Sequence, residues 1–221
     1  TLTYTKRFNR KHNFTFLAGF TLSGEKFDYK GTYATQMTTE SLGLNGLHTG
    51  SYQTVTPWQY DWTMMSGFFR VNYNFKYKYY LTASFRADGS SKFPKNNRWG
   101  YFPSAGLSWN INREDWLKDK SWISNAKLRA SWGMNGNDRI GNFRYAALTS
   151  TGNNYVFGSG SLDNEDIING VKTQTTPNSL LGWEKSTQTD VGADFGFFGN
   201  SLLFTADYFY KRTDGMLIEM P

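Results

Sequence analysis

Residues 69–88 read FRVNYNFKYKYYLTASFRAD. Phe69, Val71, Tyr73 and Phe75 alternate with Arg70, Asn72, Asn74 and Lys76. After a break at 76–78 the pattern resumes. Tyr79, Leu81, Ala83, Phe85 and Ala87 then alternate with Tyr80, Thr82, Ser84, Arg86 and Asp88. Alternation with period two marks strands with one apolar and one polar face. Two such runs joined by so short a link read as a β-hairpin.

The same period recurs at 14–22, 99–111, 126–134, 190–197 and 202–210. Residues 2–8 follow it more loosely, because Lys6 falls on the apolar register. The expectation is eight strands of about nine to twelve residues, whereas globular strands average five or six. Crossing a bilayer with tilt takes about nine to eleven. The connections give a second signal. Short links (9–11, 76–78, 198–201) and a medium one (113–124) alternate with long ones (24–63, 89–98, 135–181). Short turns at one end and long loops at the other characterise an antiparallel transmembrane β-barrel. The fold class read here is therefore all-β, an up-and-down barrel segment with long extracellular loops.

Composition agrees. Aromatics make up 18% of 221 residues, yet the mean hydropathy is negative. Rings with an apolar body and a polar edge suit a membrane boundary. Trp99, Tyr101, Trp109 and Trp132 are the expected aromatic girdle, and outer-membrane lipid the expected surrounding. Arg86, Asp88, Lys127 and Arg129 fall on the opposite parity and are expected in the lumen. The formal charge is +6, but the cations are scattered singly among 18 carboxylates, so nucleic acid is not expected as a partner. The chain has no cysteine, which removes disulfides and thiol redox chemistry. No apolar run is long enough for a spanning helix. The chain opens on TLTYTKRF, without Met or an apolar leader, and is expected to be a mature protein or, rather, a fragment.

Three stretches resemble one family. RADGSSKFPKNNRWGYFPSAGLSWNI (86–111), LRASWGMNGNDRIGNF (128–143) and LGWEKSTQTDVGADFGFFGNSLLFTADYFYKRTDGML (181–217) are similar in order and spacing to segments of the SusC/RagA-type TonB-linked outer-membrane receptors of Bacteroidetes. The resemblance covers about residues 68–217. It implies a 22-stranded barrel with an N-terminal plug, importing oligosaccharides or peptides. It further implies energy from TonB through regions outside this chain, and a SusD-like surface lipoprotein as lid. On that reading residues 1–221 are a portion of the barrel domain, about eight of the strands, and the plug is absent from this chain.

Little points to chemistry. His12 and His48 are the only histidines, and neither has a His or Cys partner at metal-ligand spacing. Asp163, Glu165 and Asp166 lack the Ca²⁺-loop ladder and read as a solvated loop. No nucleophile elbow occurs, and Glu165 and Asp166 are adjacent, not placed across a cleft as glycosidases require. The expectation is no enzyme, no metal and no cofactor. Trp58, Tyr60 and Trp62 stand at period two. They are candidates to stack against a sugar ring or a peptide side chain, against the plainer readings of upper girdle or packed loop. Arg86 and Asp88 are candidate ligand contacts, against the plainer reading of a lumen ion pair. Two other architectures fit parts of the sequence. One is a complete eight-stranded barrel with an adhesive role. The other is a secreted β-sandwich that binds carbohydrate.

Overall fold

The computed structural model describes residues 1–37, 39, 41–117, 120–157 and 166–218. Asp163 and Glu165 of the acidic cluster lie outside the described residues. Among the described residues ten strands form: β1 (Leu2–Phe8), β2 (His12–Thr35), β3 (Tyr52–Phe75), β4 (Tyr79–Ser90), β5 (Trp99–Asn110), β6 (Ile123–Asn137), β7 (Thr149–Phe157), β8 (Asp166–Thr173), β9 (Glu184–Phe197) and β10 (Leu202–Asp214). Eight of them make one antiparallel sheet in the order β1-β2-β3-β4-β5-β6-β9-β10. β7 and β8 pair separately as a hairpin.

Tight turns set the registers at one end. Lys11 N–H donates to Phe8 C=O across Asn9 and Arg10, both at positive φ. Lys78 N–H donates to Phe75 C=O across Lys76 and Tyr77, again both at positive φ. Ser201 N–H closes the same loop on Phe198 over Gly199 and Asn200. Two central residues at positive φ give the turn whose twist matches the flanking strands.

These registers align the apolar parity into one face across the sheet. Residues 8, 12, 75, 79 and 109 form a row of successive cross-strand neighbours: Phe8, His12, Phe75, Tyr79, Trp109. A second row runs Phe14, Tyr73, Leu81, Leu107, Ala130, Val191, Tyr208. The uppermost apolar row is Leu22, Met65, Gly89, Trp99. Large apolar side chains on this face are uncovered: Leu107 is 59% and Tyr208 72% exposed. From Met65 to Phe75 the strand rises about 33 Å at ~3.3 Å per residue. Tilted by about 40°, that spans about 25 Å, the height of the apolar band of a membrane barrel. His12, the polar member of the lowest row, is hydrogen-bonded through Nδ1 to the Tyr73 hydroxyl at 2.8 Å.

The opposite face carries charge. Arg129 on β6 bonds Asp194 on β9 (3.1 Å) and Asp207 on β10 (2.8 Å), tying three strands together. A Cβ at Gly192 would collide with both Arg129 and Asp207, so the bare backbone there makes room for this bridge. On the same face, toward the long connections, Phe93, Phe102 and Trp183 form a small buried core with Met64, Ile140, Leu181 and Leu217 around it.

Several expectations need correction. Residues 24–63 are not simply a long loop. β2 and β3 stay paired from Gly24↔Thr63 to Thr35↔Tyr52, well past the end of β4. Residues 135–181 contain the unforeseen hairpin β7–β8. The medium link spans 111–122 instead of 113–124, because β5 ends at Asn110 and β6 starts at Ile123. A β-sandwich does not form: the eight strands make a single sheet with one uncovered apolar face. A closed small barrel does not form either, since β1 and β10 stand at the two edges with no pairing between them among the described residues.

Candidate functional site at the long-loop rim

Beyond Gly24 and Thr63 the backbone ladder of β2–β3 continues unchanged, but its chemistry changes sides. On the face continuous with the apolar band stand Lys26, Asp28, Lys30 and Asp61. On the face continuous with Ser66, Arg86 and Asp88 stand three facing pairs: Glu25↔Trp62, Phe27↔Tyr60 and Tyr29↔Trp58. Trp58, Tyr60 and Trp62 thus share the polar-face side of the sheet, above the apolar band. The upper-girdle reading of these three residues does not hold, because a girdle would put them on the other parity.

Specific contacts hold this aromatic surface. The Trp62 indole N–H donates to the Glu25 carboxylate at 3.0 Å, and the Tyr60 hydroxyl donates to it at 3.4 Å. Phe27 stacks on Tyr60 with ring centroids 4.9 Å apart and planes 17° from parallel. Lys92 Nζ stands 4.9 Å from the Trp62 ring centroid. It also donates to the Asp138 carbonyl at 3.4 Å. The Ser90 hydroxyl donates to the Asp138 carboxylate at 3.0 Å. Lys92 and Asp138 thereby join the aromatic ribbon to the segment that follows β6.

Across from the ribbon, Ile140, Phe143 and Leu148 complete a cleft of about 660 Å³. Its walls include indole and phenol faces, with Glu25, Lys92 and Arg144 as charged groups. Trp58 at the open end is 64% exposed. Such a surface can stack against flat or apolar ligand groups and accept or donate hydrogen bonds. The Ser90 hydroxyl paired with Asp138 is fully buried and does not line the cleft.

The buried core below holds the loops in place. Phe93 is fully buried and packs against Trp183 with centroids 5.2 Å apart. The Trp183 indole donates to the Arg98 carbonyl at 2.9 Å. Arg86 and Asp88 lie deeper on the same face. Arg86 Nε bonds both Asp88 oxygens (2.8 and 2.7 Å), and an Arg86 terminal N–H reaches Ser66 on β3 at 3.2 Å. Asp88 is buried, so this pair is satisfied within the wall and does not line the cleft.

The four girdle candidates all sit on the apolar face. Trp109 lies in the lowest row, and Trp99 and Tyr101 lie at the opposite rim. Trp132 reaches neither rim, because it stands in the middle row with Ala105, Ala83 and Val71, so the girdle expectation fails for it. At the short-turn rim a carboxylate that sequence reasoning missed binds this belt from beneath. Glu114 accepts hydrogen bonds from the Tyr79 hydroxyl (2.7 Å), Lys78 Nζ (3.0 Å) and the Trp109 indole (3.0 Å). These three donors, Tyr79 first, hold its carboxyl at a pKa of about 2. The bond to Glu114 in turn raises that of Lys78.

Glu25 and Phe27, with Lys92 and Asp138, were also missed around the cleft, of which Glu25 and Lys92 line it. The signal for the first two was present: aromatic residues move from even positions (Phe14, Phe16, Phe20) to odd ones (Phe27, Tyr29, Tyr33) along β2.

Residues 1–221 match the family described as TonB dependent receptor-like, beta-barrel. TonB-dependent receptor P39 of Formosa agariphila is 34% identical over 219 residues, 99% of this chain and 20% of that protein. TonB-dependent receptor SusC of Bacteroides thetaiotaomicron is 38% identical over 159 residues, 70% of this chain and 15% of that protein. The solved structure of the RagAB peptide transporter superposes with a TM-score of 0.84 at 30% identity, over 99% of this chain and 23% of the matched chain. The chain thus spans about a fifth of the length of the curated relatives it matches.

Proposed function

The chain belongs to the TonB dependent receptor-like β-barrel family, and from that membership we propose that it forms wall and mouth of an active outer-membrane importer. Its location is the bacterial outer membrane, with the apolar face against lipid and the charged face toward the lumen. The cargo is an oligosaccharide or a peptide. A SusD-like lipoprotein covers the mouth, and TonB supplies energy through parts of the receptor beyond this chain. The role is binding and passage without bond-making chemistry. Identity to SusC and likeness to the RagAB peptide transporter support the partner and the cargo classes.

One observation carries the reading. The aromatic surface changes sides where the apolar band ends, so Trp58, Tyr60 and Trp62 face the space above the lumen. The experiment is uptake by cells of fluorescently labelled peptides and labelled oligosaccharides, with and without a protonophore. Wild-type receptor is expected to import one class in a protonophore-sensitive way. The variant W58A/Y60A/W62A should lose most of that uptake while reaching the outer membrane at normal levels. Full uptake by the triple variant would overturn the site; uptake indifferent to the protonophore would overturn the energised mechanism.

A further inference from the structure

The short-turn rim holds an arrangement that import does not use. Lys6 stands on the apolar face, in the row of Phe14, Tyr73 and Leu81. Its Nζ lies 5.5 Å from the Phe8 ring centroid, so its long stem runs toward the rim. Lys76 Nζ lies 5.4 Å from the Phe75 ring centroid. The Arg113 guanidinium lies 5.6 Å from that of Tyr77. Phe8 and Phe75 belong to the lowest aromatic row, and Tyr77 is in the turn beside it. None of the three cations makes an ion pair among the described residues, and all three are exposed.

The surroundings are lopsided in charge. The short connections 9–11, 76–78, 111–122 and 198–201 carry six Lys and Arg against Glu114 and Asp115 among the described residues. Glu114 is already occupied by three donors. Asp115 lies 3.9 Å from Lys78. Two tryptophans of the same rim, Trp116 and Trp122, are 64% and 50% exposed. Exposed Trp beside unpaired cations at the edge of an apolar band is the chemistry of the headgroup layer.

From this placement we infer that the short-turn rim is a binding surface for anionic phospholipid, with Lys6, Lys76 and Arg113 each directed at a lipid phosphate. In outer-membrane barrels the short turns are periplasmic, so the lipid is that of the inner leaflet. The cations ride on aromatic faces that fix their position, and the lipid phosphate replaces the carboxylate they lack. The opposite rim does not offer this: past the band, Lys26 faces Asp61 across the ladder.

The test uses the full-length receptor in phosphatidylcholine vesicles doped with brominated phosphatidylglycerol or brominated phosphatidylcholine, read by tryptophan quenching. Wild type should prefer phosphatidylglycerol, less so in high salt. Each cation removed should weaken that preference by up to about fivefold, the usual effect of one surface cation on an anionic membrane. K6Q/K76Q/R113Q should quench nearly equally with both lipids, whereas K26Q/K30Q on the upper hairpin should retain the preference. Equal quenching of wild type by the two lipids, which needs no variant to fold, would overturn the inference. So would a triple variant that keeps the wild-type ratio.

Discussion

Placing an arginine at position 71 and, separately, at position 72 puts one charge on opposite faces of β3 at almost the same depth. Val71 lies in the row of Phe16 and Ala83 on the apolar face. Four residues separate it from Phe75 in the lowest row, about 13 Å along the strand at ~3.3 Å per residue. At a tilt of about 40° that is about 10 Å of depth, close to the middle of a band about 25 Å tall. An arginine on the lipid side at that depth costs about 2–4 kcal/mol. Asn72 faces the lumen, where its Oδ1 accepts a hydrogen bond from the Thr82 hydroxyl at 3.0 Å. Losing that exposed bond costs about 1 kcal/mol or less. V71R should therefore destabilise the receptor by about 1–4 kcal/mol more than N72R, the difference between those two costs. Equilibrium folding of the full-length receptor into lipid vesicles, titrated with urea, measures both. An N72R cost equal to or above that of V71R would refute the assignment of faces on which the membrane reading depends.

Two further outcomes follow from particular contacts. Glu114 has a folded pKa of about 2 against about 4.3 for a free glutamate. Its contribution is complete above the unfolded value and is lost as pH falls through the folded one, so unfolding free energy should rise with pH between about 2 and 4.3. E114Q should flatten that rise; an unchanged slope would show that Glu114 is not the carboxylate responsible. Phe93→Ala empties a fully buried site, which typically costs about 3–5 kcal/mol. It should open the segments around 91–98 and 138–148 to limited proteolysis while leaving the sheet intact; wild-type resistance there would mean that Phe93 does not hold the loops.

Wherever one side of a strand met lipid along its whole length, the sequence was transparent. β4, β5 and β10 keep most of their apolar residues on one parity from end to end, with Phe102, Leu203 and Phe209 as the exceptions, and the structure pairs them in that register. The extension of β2–β3 was opaque for a specific reason. Its period of two persists, but the apolar parity changes phase between Leu22 and Phe27. A search for one unbroken alternation stops at that change. β7 and β8 were hidden differently: TSTGNNYVF and DIINGVKT carry too few apolar residues to alternate. Their antiparallel pairing is one that the side-chain pattern does not report. The cleft was half legible. The Trp-Tyr-Trp spacing was visible, whereas Lys92, Asp138 and Trp183 come from distant segments and meet only through the loop core.

The phase change also fixes where the membrane ends. Backbone pairing cannot mark that boundary, because the β2–β3 ladder runs through it without a break. Side chains can. Below it, Leu22 and Met65 face outward; above it, Lys26, Asp61 and Asp28 do. Sliding the hairpin inward would carry these charges toward hydrocarbon, where a cation at mid-depth costs about 2–4 kcal/mol. Sliding it outward would lift Leu22, Met65 and Trp99 into water and forfeit about 25 cal/mol per Å² of apolar contact. Both displacements are opposed, so the aromatic ribbon of Trp58, Tyr60 and Trp62 is held above the bilayer, on the polar-face side of the sheet. The sheet thus uses one alternation twice: within the bilayer its apolar side meets lipid, and beyond it the aromatic residues stand on the opposite face.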